Sequence, residues 1–188
     1  MSKLYFKYGV MGSSKSAIAL MTKYNYEQKG FNVLLLKPAI DTRDGDMVSS
    51  RIGISCKCFK FDKEFDLLQF FKEQNQVNKI NGVIIDEAQF CTKKQIEELR
   101  EIANSVSVIC FGLKTNFKSE LFEGSKRLLE IADNISEIKT VCKCGNKAII
   151  NAKVLNGKIV KSGNEIDIGG DEKYISICYN CWLNDKVD

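Results

Sequence analysis

The segment that most constrains the fold is a glycine- and serine-rich stretch at residues 9–16. It overlaps the end of an alternating apolar segment, residues 3–10, and precedes a helical pattern over residues 15–29 that ends at Gly30. The stretch nearly matches the pattern G-x-x-x-x-G-K-[ST]. Its members are Gly9, Val10, Met11, Gly12, Ser13, Ser14, Lys15 and Ser16. A strand, a loop and a helix in this order predict a phosphate-binding loop, or P-loop.

In such a loop the backbone N–H groups and the helix N-terminus surround the phosphates of ATP. Lys15 is expected to bridge the phosphates and Ser16 to bind Mg²⁺. Ser14 stands where the pattern has its second glycine, which turns the backbone without a Cβ near the phosphates. The alternative is a turn with an incidental Lys-Ser pair, but the strand–loop–helix context favours the P-loop.

Short apolar runs alternate with helical patterns through the first two thirds of the chain. Strands are predicted by apolar runs at residues 32–37, 82–85 and 106–113, and helices by the patterns at residues 92–104 and 123–133. Thr92 is a candidate N-cap. The order predicts an α/β fold of the P-loop NTPase (RecA-like) type, with a mostly parallel sheet and flanking helices.

The composition changes near residue 135. Beyond it glycine is frequent, four cysteines appear, and short strands are predicted at residues 148–155 and 174–178. We therefore expect residues 1–135 to form a nucleotide-binding domain and residues 136–188 a small β-rich, zinc-ribbon-like domain. Residues 42–54 are polar and are expected to form a mobile loop.

Two carboxylates, Asp86 and Glu87, follow the apolar run at residues 82–85. A strand that ends in Asp supplies the Mg²⁺-associated carboxylate of a P-loop site, and ligands of open parallel sheets bind at the carboxyl ends of strands. Because consecutive strand residues point in opposite directions, two roles are expected. Asp86 would serve the metal, and Glu87 would accept the proton of an attacking hydroxyl. A solvated strand end is the alternative, which the upstream P-loop disfavours.

The chain has eight cysteines and no histidine. In a reducing compartment, closely spaced cysteines indicate a metal site before disulfides. A C-x-C pair, Cys142 and Cys144, and a C-x-x-C pair, Cys178 and Cys181, are separated by 33 residues. Two such pairs can hold tetrahedral Zn²⁺, and a closed four-sulfur site is structural because it has no open position for a substrate. Two reduced, metal-free pairs are the alternative.

The remaining cysteines are expected to be unliganded: Cys56, Cys58, Cys91 and Cys110. The lack of histidine excludes Ser-His-Asp and Cys-His catalytic groups. A net charge of +4 is too mild by itself to indicate a nucleic-acid partner. No apolar run approaches the roughly 20 residues of a membrane span, and the first residues lack a signal-peptide layout. We expect a cytoplasmic protein that binds neither a membrane nor a nucleic acid polymer.

Five blocks together resemble the thymidine kinases of the cytosolic vertebrate, bacterial and poxviral type. They are the P-loop with its embedded Met11, the DEAQF motif at residues 86–90, the run at residues 112–122, the segment 168–174, and the two cysteine pairs. The resemblance extends from Leu4 to about Trp182 in the same order, and residues 4–6 and 24–26 are most similar to the bacterial branch.

This resemblance implies an ATP- and Mg²⁺-dependent kinase with structural zinc, which phosphorylates the 5′-hydroxyl of thymidine and of deoxyuridine for DNA synthesis by salvage. It implies that Glu87 is the catalytic base, that Asp86 accompanies Mg²⁺, and that Gln89 belongs to the nucleotide site. The residues matched to the thymidine site are Met11, Phe90, Leu113, Phe117, Phe122, Asp167, Ile168, Gly169 and Tyr174. From periodicity alone, the aromatic residues among them would be assigned to core packing.

The resemblance also implies a homotetramer, feedback inhibition by dTTP, and a long loop, the lasso, which covers the nucleoside from residues 152–173. Three features depart from the family pattern: Ser14 in the P-loop, Asp167 in place of an apolar residue, and the tight C-x-C spacing. Arg43 and Arg51 are candidates for a basic residue at the γ-phosphate.

Two other classes of function stay open at this point. A P-loop ATPase or GTPase shares Asp86 and the P-loop but needs no nucleoside pocket, and the guanine motif N-K-x-D is incomplete because the Asn-Lys pairs at residues 78 and 146 lack the final Asp. A zinc ribbon that binds nucleic acid requires a basic stripe, which residues 164–188 do not contain.

Overall fold

The computed structural model of the protein describes residues 3–42, 44–162 and 174–187. Its strands are β1 (Leu4–Tyr8), β2 (Val33–Pro38), β3 (Met47–Ser49), β4 (Ser55–Lys57), β5 (Phe59–Phe61), β6 (Gly82–Ile85), β7 (Ser107–Gly112), β8 (Asn134–Glu137), β9 (Ile150–Leu155), β10 (Lys158–Val160) and β11 (Tyr174–Ile177). Its helices are α1 (Lys15–Glu27), α2 (Leu67–Val77), α3 (Lys93–Ile102), α4 (Glu123–Ile131) and α5 (Tyr179–Leu183), and a 3₁₀ turn covers Ala88–Phe90.

Six strands form a sheet in the order β5-β2-β6-β7-β1-β8. Every pairing in this sheet is parallel. Alternate residues of one strand face different layers, as strand geometry requires. Leu34 and Leu36 pack with α2, α3 and α4, whereas Val33 and Leu35 pack with α1. Burial on both faces explains the continuous apolar runs, and the predicted α/β fold is confirmed.

Helix α3 begins at a capping box, as Thr92 predicts. The Thr92 hydroxyl accepts the Gln95 N–H at 3.2 Å, and Gln95 Oε1 accepts the Thr92 N–H at 3.0 Å. Gln95 also donates from Nε2 to the carbonyl of Asp62 at 2.7 Å. This cap fixes the start of α3 directly after the 3₁₀ turn that carries the functional motif.

The prediction of a loop over residues 42–54 is wrong in part. Strand β3 lies within it and pairs antiparallel with β4, so that the segment is half of a hairpin. Val48 is 2% exposed and packs in the same apolar cluster as α1 residues Ala19 and Leu20. Three residues are too few for a detectable alternation in sequence, and this packing decides the conformation.

A second, antiparallel sheet has the order β10-β9-β11. Its apolar side chains and three of the four clustered cysteines form a separate small core. Strand β8, at the edge of the parallel sheet, crosses the domain boundary expected at residue 135, so that the parallel sheet continues to Glu137. None of the helices in the described ranges has the length and apolar composition needed to cross a lipid bilayer.

Candidate active site and four-cysteine centre

A cleft of about 680 Å³ lies at the carboxyl ends of the parallel strands. The loops after β1 and β6 meet there because only β7 separates those two strands. The cleft is lined by these residues of the predicted site: Met11, Gly12, Ser14, Lys15, Ser16, Asp86, Glu87, Gln89, Phe90, Leu113, Phe117, Phe122 and Tyr174. Gly9, Val10 and Ser13 do not line it.

The backbone of the P-loop shows why Gly9 must be a glycine and how Ser14 replaces the second glycine of the pattern. A Cβ on Gly9 would lie 2.4 Å from Ser13 Oγ and 2.6 Å from the carbonyl oxygen of Ile138, so no other residue fits without displacing the backbone. Ser14 has φ 64° and ψ 24°, the left-handed conformation for which glycine is suited. The second glycine of the pattern is therefore replaced, while its backbone conformation is retained.

Lys15 and Ser16 begin helix α1 at the floor of the cleft. The Lys15 ammonium donates to the carbonyl of Val10 at 2.9 Å, which holds the side chain over the loop. The first turn of α1 contains no acidic residue, so the partial positive charge of the helix N-terminus faces the cleft uncompensated by a carboxylate of that turn. Both features favour binding of an anion such as a phosphate.

Asp86 is the buried carboxylate of the cleft, with 4% of its surface exposed. Burial raises the pKa of Asp86 to about 6, and the neighbouring charge of Glu87 contributes, while a hydrogen bond with Ser16 and the charge of Lys15 act in the opposite direction. Within the described part of the chain, Asp86 Oδ1 has no hydrogen-bond partner. A buried oxygen in this state, next to a serine hydroxyl, fits the oxygen ligands that Mg²⁺ prefers.

Glu87 does not continue the strand, contrary to the expected strand alternation. Strand β6 ends at Ile85, and Glu87 has φ 53° and ψ 37°. This left-handed backbone is uncommon for glutamate and is frequent at functional sites. Both carboxylates line the same cleft.

Gln89 holds Glu87 in place. Its Nε2 donates to Glu87 Oε2 at 2.5 Å, and its Oε1 accepts the N–H of Leu113 at 2.9 Å. Gln89 is 2% exposed, and a Cβ on Gly112 would lie 2.7 Å from its Oε1. Its amide group is therefore bonded to the protein, whereas the sequence places Gln89 among the nucleotide-binding residues.

Aromatic side chains form one wall of the cleft. The rings of Phe90 and Phe122 are 5.7 Å apart and nearly perpendicular, at 73°. Phe117 is 2% exposed, and the Lys153 ammonium lies 5.4 Å from the centre of its ring. Apolar rings beside a few polar groups are typical of a site for a planar ligand.

The cleft also contains residues that sequence reasoning missed: Asp41, Thr115, Asn116 and Asn151. Arg51, from the β3–β4 hairpin, lines it as well, and its Nη1 would lie 3.8 Å from a Cβ built on Gly12. Thr115 and Asn116 lie within the run at residues 112–122, which could have indicated them, whereas no local motif marks Asp41 and Asn151, which reach the cleft through tertiary packing. Arg43, Asp167, Ile168 and Gly169 lie outside the described residues.

Four cysteines lie close together beside the second sheet. Two come from the segment before β9, and two follow β11. The sulfur atoms of Cys142, Cys144, Cys178 and Cys181 all lie within 4.8 Å of one another. Sulfurs around a tetrahedral Zn²⁺ are about 3.8 Å apart, given Zn–S bonds of about 2.3 Å, and the Cys144–Cys178 separation is 3.6 Å. The four thiols are compatible with a structural metal ion, and all eight cysteines of the chain are free of disulfides.

Metal binding requires deprotonated thiols, and the surroundings of Cys144 favour its thiolate. The backbone N–H of Asn146 is the main cause that lowers the pKa of Cys144 to about 6, and the other three thiols contribute. Hydrogen bonds with Cys144 and Cys178 raise the pKa of Cys181 to about 12.

A strand–loop–helix with the P-loop conformation, and a buried carboxylate at the end of a nearby strand, define a P-loop nucleotide-binding protein. The family model of thymidine kinase matches residues 2–182. The chain therefore belongs to the thymidine kinase family, and the resemblance in sequence is confirmed.

Named relatives cover nearly the whole chain. The thymidine kinase of Enterobacteria phage T4 is 45% identical over 97% of this chain and 96% of its own length. Those of Mannheimia succiniciproducens and Rhodopirellula baltica are 43% and 40% identical over 95% of this chain, and over 93% and 86% of their own lengths. Among solved structures, the Pif1 helicase from Candida albicans gives a TM-score of 0.45 at 13% identity, over 73% of this chain and 36% of that chain, which is too low to assign a fold.

Proposed function

We propose that the protein transfers the γ-phosphate of ATP to the 5′-hydroxyl of thymidine and of deoxyuridine, and so supplies dTMP and dUMP by salvage. The observation that carries this proposal is that the P-loop, Glu87 and the aromatic wall open into one cleft. A kinase needs a phosphate site, a proton acceptor and an acceptor pocket in contact with one another, and this cleft combines candidates for all of them.

The phosphate side of the cleft binds the triphosphate of ATP. Lys15 and the P-loop amides balance its charge, and Ser16 and Asp86 are the residues that would hold Mg²⁺. When bound, Mg²⁺ supplies positive charge at the phosphate oxygens. Arg51 adds a guanidinium beside Gly12, which supports Arg51 as the basic residue at the γ-phosphate.

In the transfer step, a bond forms between O5′ of the nucleoside and the γ-phosphorus, and the bond between that phosphorus and the leaving oxygen of ADP breaks. Glu87 orients the 5′-hydroxyl and takes its proton. Catalysis rests mainly on position and charge, because phosphoryl transfer passes through a loose transition state. Gln89 keeps the Glu87 carboxylate in place through its 2.5 Å hydrogen bond.

The nucleoside binds among Met11, Phe90, Phe117 and Phe122, with Leu113 and Tyr174 at the edges. The roles of Asp167, Ile168 and Gly169 in holding the base stay predictions from the family resemblance, as does closure of the lasso. Water competes with the nucleoside as an acceptor, so closure over the base would limit hydrolysis of ATP.

Finer features of the proposal come from the family resemblance. The metal at the four cysteines is zinc, the protein is a homotetramer, dTTP inhibits it, and it acts in the cytoplasm. Met21 and Tyr24 of α1 are 54% and 60% exposed, which leaves an apolar surface for contacts between subunits. The division into domains at residues 1–135 and 136–188 also stays a proposal.

A coupled assay with Mg·ATP and a panel of nucleosides tests the function. We expect ADP formation with thymidine and deoxyuridine, and little with purine nucleosides or with no nucleoside. Rapid release of phosphate without a nucleoside would instead support a P-loop ATPase.

The variant Glu87→Gln tests the proposed base. Its side-chain oxygen can still accept from Gln89, so the local structure should be retained, but it cannot take up the proton. We expect turnover to fall by about two orders of magnitude or more, with ADP binding unchanged. Glu101→Gln, the same change at an exposed position on α3, is the matched control. Turnover of Glu87→Gln equal to that of the control would exclude Glu87 as the base.

A further inference from the structure

We propose that Asn151 and Ser176, two residues of the second sheet (β10-β9-β11), are positioning residues of the P-loop, so that this sheet sets the affinity for nucleotide. The inference rests on the proposed binding of nucleotide at the P-loop. It assigns to the second sheet a role on the phosphate side of the cleft, beyond metal binding and support of the nucleoside loop.

Both backbone groups of Met11 are held by side chains of the second sheet. Asn151 Oδ1 on β9 accepts the Met11 N–H at 2.7 Å, and Ser176 Oγ on β11 donates to the Met11 carbonyl at 2.5 Å. Asn151 and Ser176 are direct partners in the antiparallel register of β9 and β11. One pair of facing residues in the sheet therefore binds the peptide groups on both sides of Met11, at the middle of the loop.

The residue before Met11 joins the same contact through its side chain. Val10 is 8% exposed and packs in the small core of the second sheet. This core contains Cys142, Cys178 and Cys181, so the apolar contact of the P-loop is continuous with the four-cysteine centre.

The rest of the loop is held mainly from within its own half of the molecule. The Gly9 N–H bonds to the carbonyl of Gly112 in β7, and the Ser13 N–H bonds to the carbonyl of Val10 at 3.3 Å, near the upper limit for a hydrogen bond. The stretch between Val10 and Ser13 thus depends on the second sheet for strong anchors. A loop that binds phosphate through backbone N–H groups gains affinity when those groups are fixed in advance.

Lys15 links this arrangement to the phosphates. Its ammonium is held by the carbonyl of Val10, whose side chain lies in the second sheet's core. A shift of residues 10 and 11 would therefore move the Lys15 side chain as well as the loop amides.

Three variants test the inference. Asn151→Leu keeps the side-chain size but removes the acceptor, and Ser176→Ala removes the hydroxyl donor, while Ser176→Thr retains a hydroxyl. Ile159→Val, on strand β10 of the same sheet, removes one methylene from the same core without a contact to Met11 and is the control for general loss of stability. The affinity for Mg·ADP and for thymidine is measured by calorimetry on the zinc-loaded protein.

We expect Asn151→Leu and Ser176→Ala each to weaken Mg·ADP binding by about tenfold, a loss of the size expected for one hydrogen bond to a fixed backbone group. Ser176→Thr should bind Mg·ADP nearly as the unmodified protein does. Thymidine affinity should stay within about twofold in the Ser176 variants, because Ser176 does not line the cleft. Ile159→Val should lower the melting temperature and leave Mg·ADP affinity unchanged.

Hydrogen exchange of the Met11 amide, followed by NMR, reports on the contact directly. The amide should be protected in the unmodified protein and in Ile159→Val, and should exchange faster in Asn151→Leu. Unchanged Mg·ADP affinity in both Asn151→Leu and Ser176→Ala, with the unmodified protein binding normally, would overturn the inference. Equal losses for Ser176→Ala and Ser176→Thr would do the same. Failure of the unmodified protein to bind Mg·ADP would instead reject the proposed function.

Discussion

Ser14 combines a side chain with a backbone conformation that usually belongs to glycine, at the point where the P-loop enters α1. A non-glycine residue in the left-handed region costs roughly 1–2 kcal/mol, while glycine loses roughly 0.5–1 kcal/mol more entropy on folding. We expect Ser14→Gly to raise the free energy of unfolding by about 0.5–1 kcal/mol. Removal of the Cβ beside the phosphates should also strengthen Mg·ADP binding a few-fold.

Ser119 provides a matched control for this variant. It has φ 69° and is exposed, and it does not line the cleft. Ser119→Gly should therefore stabilise the protein by a similar amount without a change in nucleotide affinity. The two are compared by chemical denaturation and calorimetry, and a Ser14→Gly protein that binds Mg·ADP more weakly would show that the hydroxyl contributes to the site.

The burial of Asp86 in the cleft destabilises the folded protein when this carboxylate is ionised. Burial raises the pKa of Asp86 to about 6. Between about pH 4 and pH 6, Asp86 is therefore protonated in the folded protein but ionised in the unfolded chain. The stability of the magnesium-free protein should therefore fall as the pH rises through this window and stay lower above it.

The neutral variant Asp86→Asn removes this charge. At pH 7.5 and without magnesium, we expect it to be more stable by about 3 kcal/mol, and this gain should largely vanish at pH 4. The same variant should lose the Mg²⁺ dependence of ADP binding. Denaturation curves at the two pH values provide the test, and equal stability of variant and unmodified protein at pH 7.5 would show that the carboxylate is not destabilised by burial.

At the scale of elements, sequence patterns predict best where one element carries its own signal. Strands β2, β6 and β7 are continuous apolar runs because both faces are buried, and Thr92 and Gln95 lie at capping-box spacing. The β3–β4 hairpin has no such signal. Its three-residue strands are ordered by the contact of Val48 with α1, which local sequence does not reveal.

The same limit applies to the site. The motif at residues 86–90 locates the carboxylates, but the left-handed backbone of Glu87 follows from the packing of the 3₁₀ turn against β7 and α4. Gly112 and Gly124 allow this close packing because they have no Cβ. A Cβ on Gly124 would lie 2.6 Å from the carbonyl oxygen of Ala88. Asn151 was missed because 140 residues separate it from Met11. No spacing rule covers such a distance.

At the scale of the whole molecule, the parallel sheet and the second sheet are joined at the P-loop. Strand β1 delivers residues 9–16 from the parallel sheet, and the second sheet receives Val10 and Met11. Residues of both sheets therefore hold the P-loop, and an ion bound at the four cysteines would stabilise a core that includes Val10 of this loop. Metal loss and nucleotide binding should be thermodynamically linked.

The variant Cys181→Ser tests this link, because it removes one ligand from the four-cysteine centre. The remaining thiols cannot complete a four-sulfur site, so bound zinc should fall well below one ion per chain, as measured by elemental analysis. Since a ligand that binds only the folded state stabilises it, we expect the melting temperature to drop by at least roughly 5 °C. Mg·ADP affinity should fall with it, because the core that holds Val10 is loosened.

Cys56→Ser supplies the matched control, since Cys56 lies on β4 outside the cysteine cluster. This variant should keep its zinc, its melting temperature and its affinity for Mg·ADP. A chelator strong enough to strip zinc should convert the unmodified protein to the behaviour of Cys181→Ser and leave that variant unchanged. If Cys181→Ser instead lost zinc and stability but bound Mg·ADP as tightly as Cys56→Ser, the two sheets would be energetically independent at the P-loop. The hydrogen bonds of Asn151 and Ser176 to Met11 would then hold the loop without help from the metal.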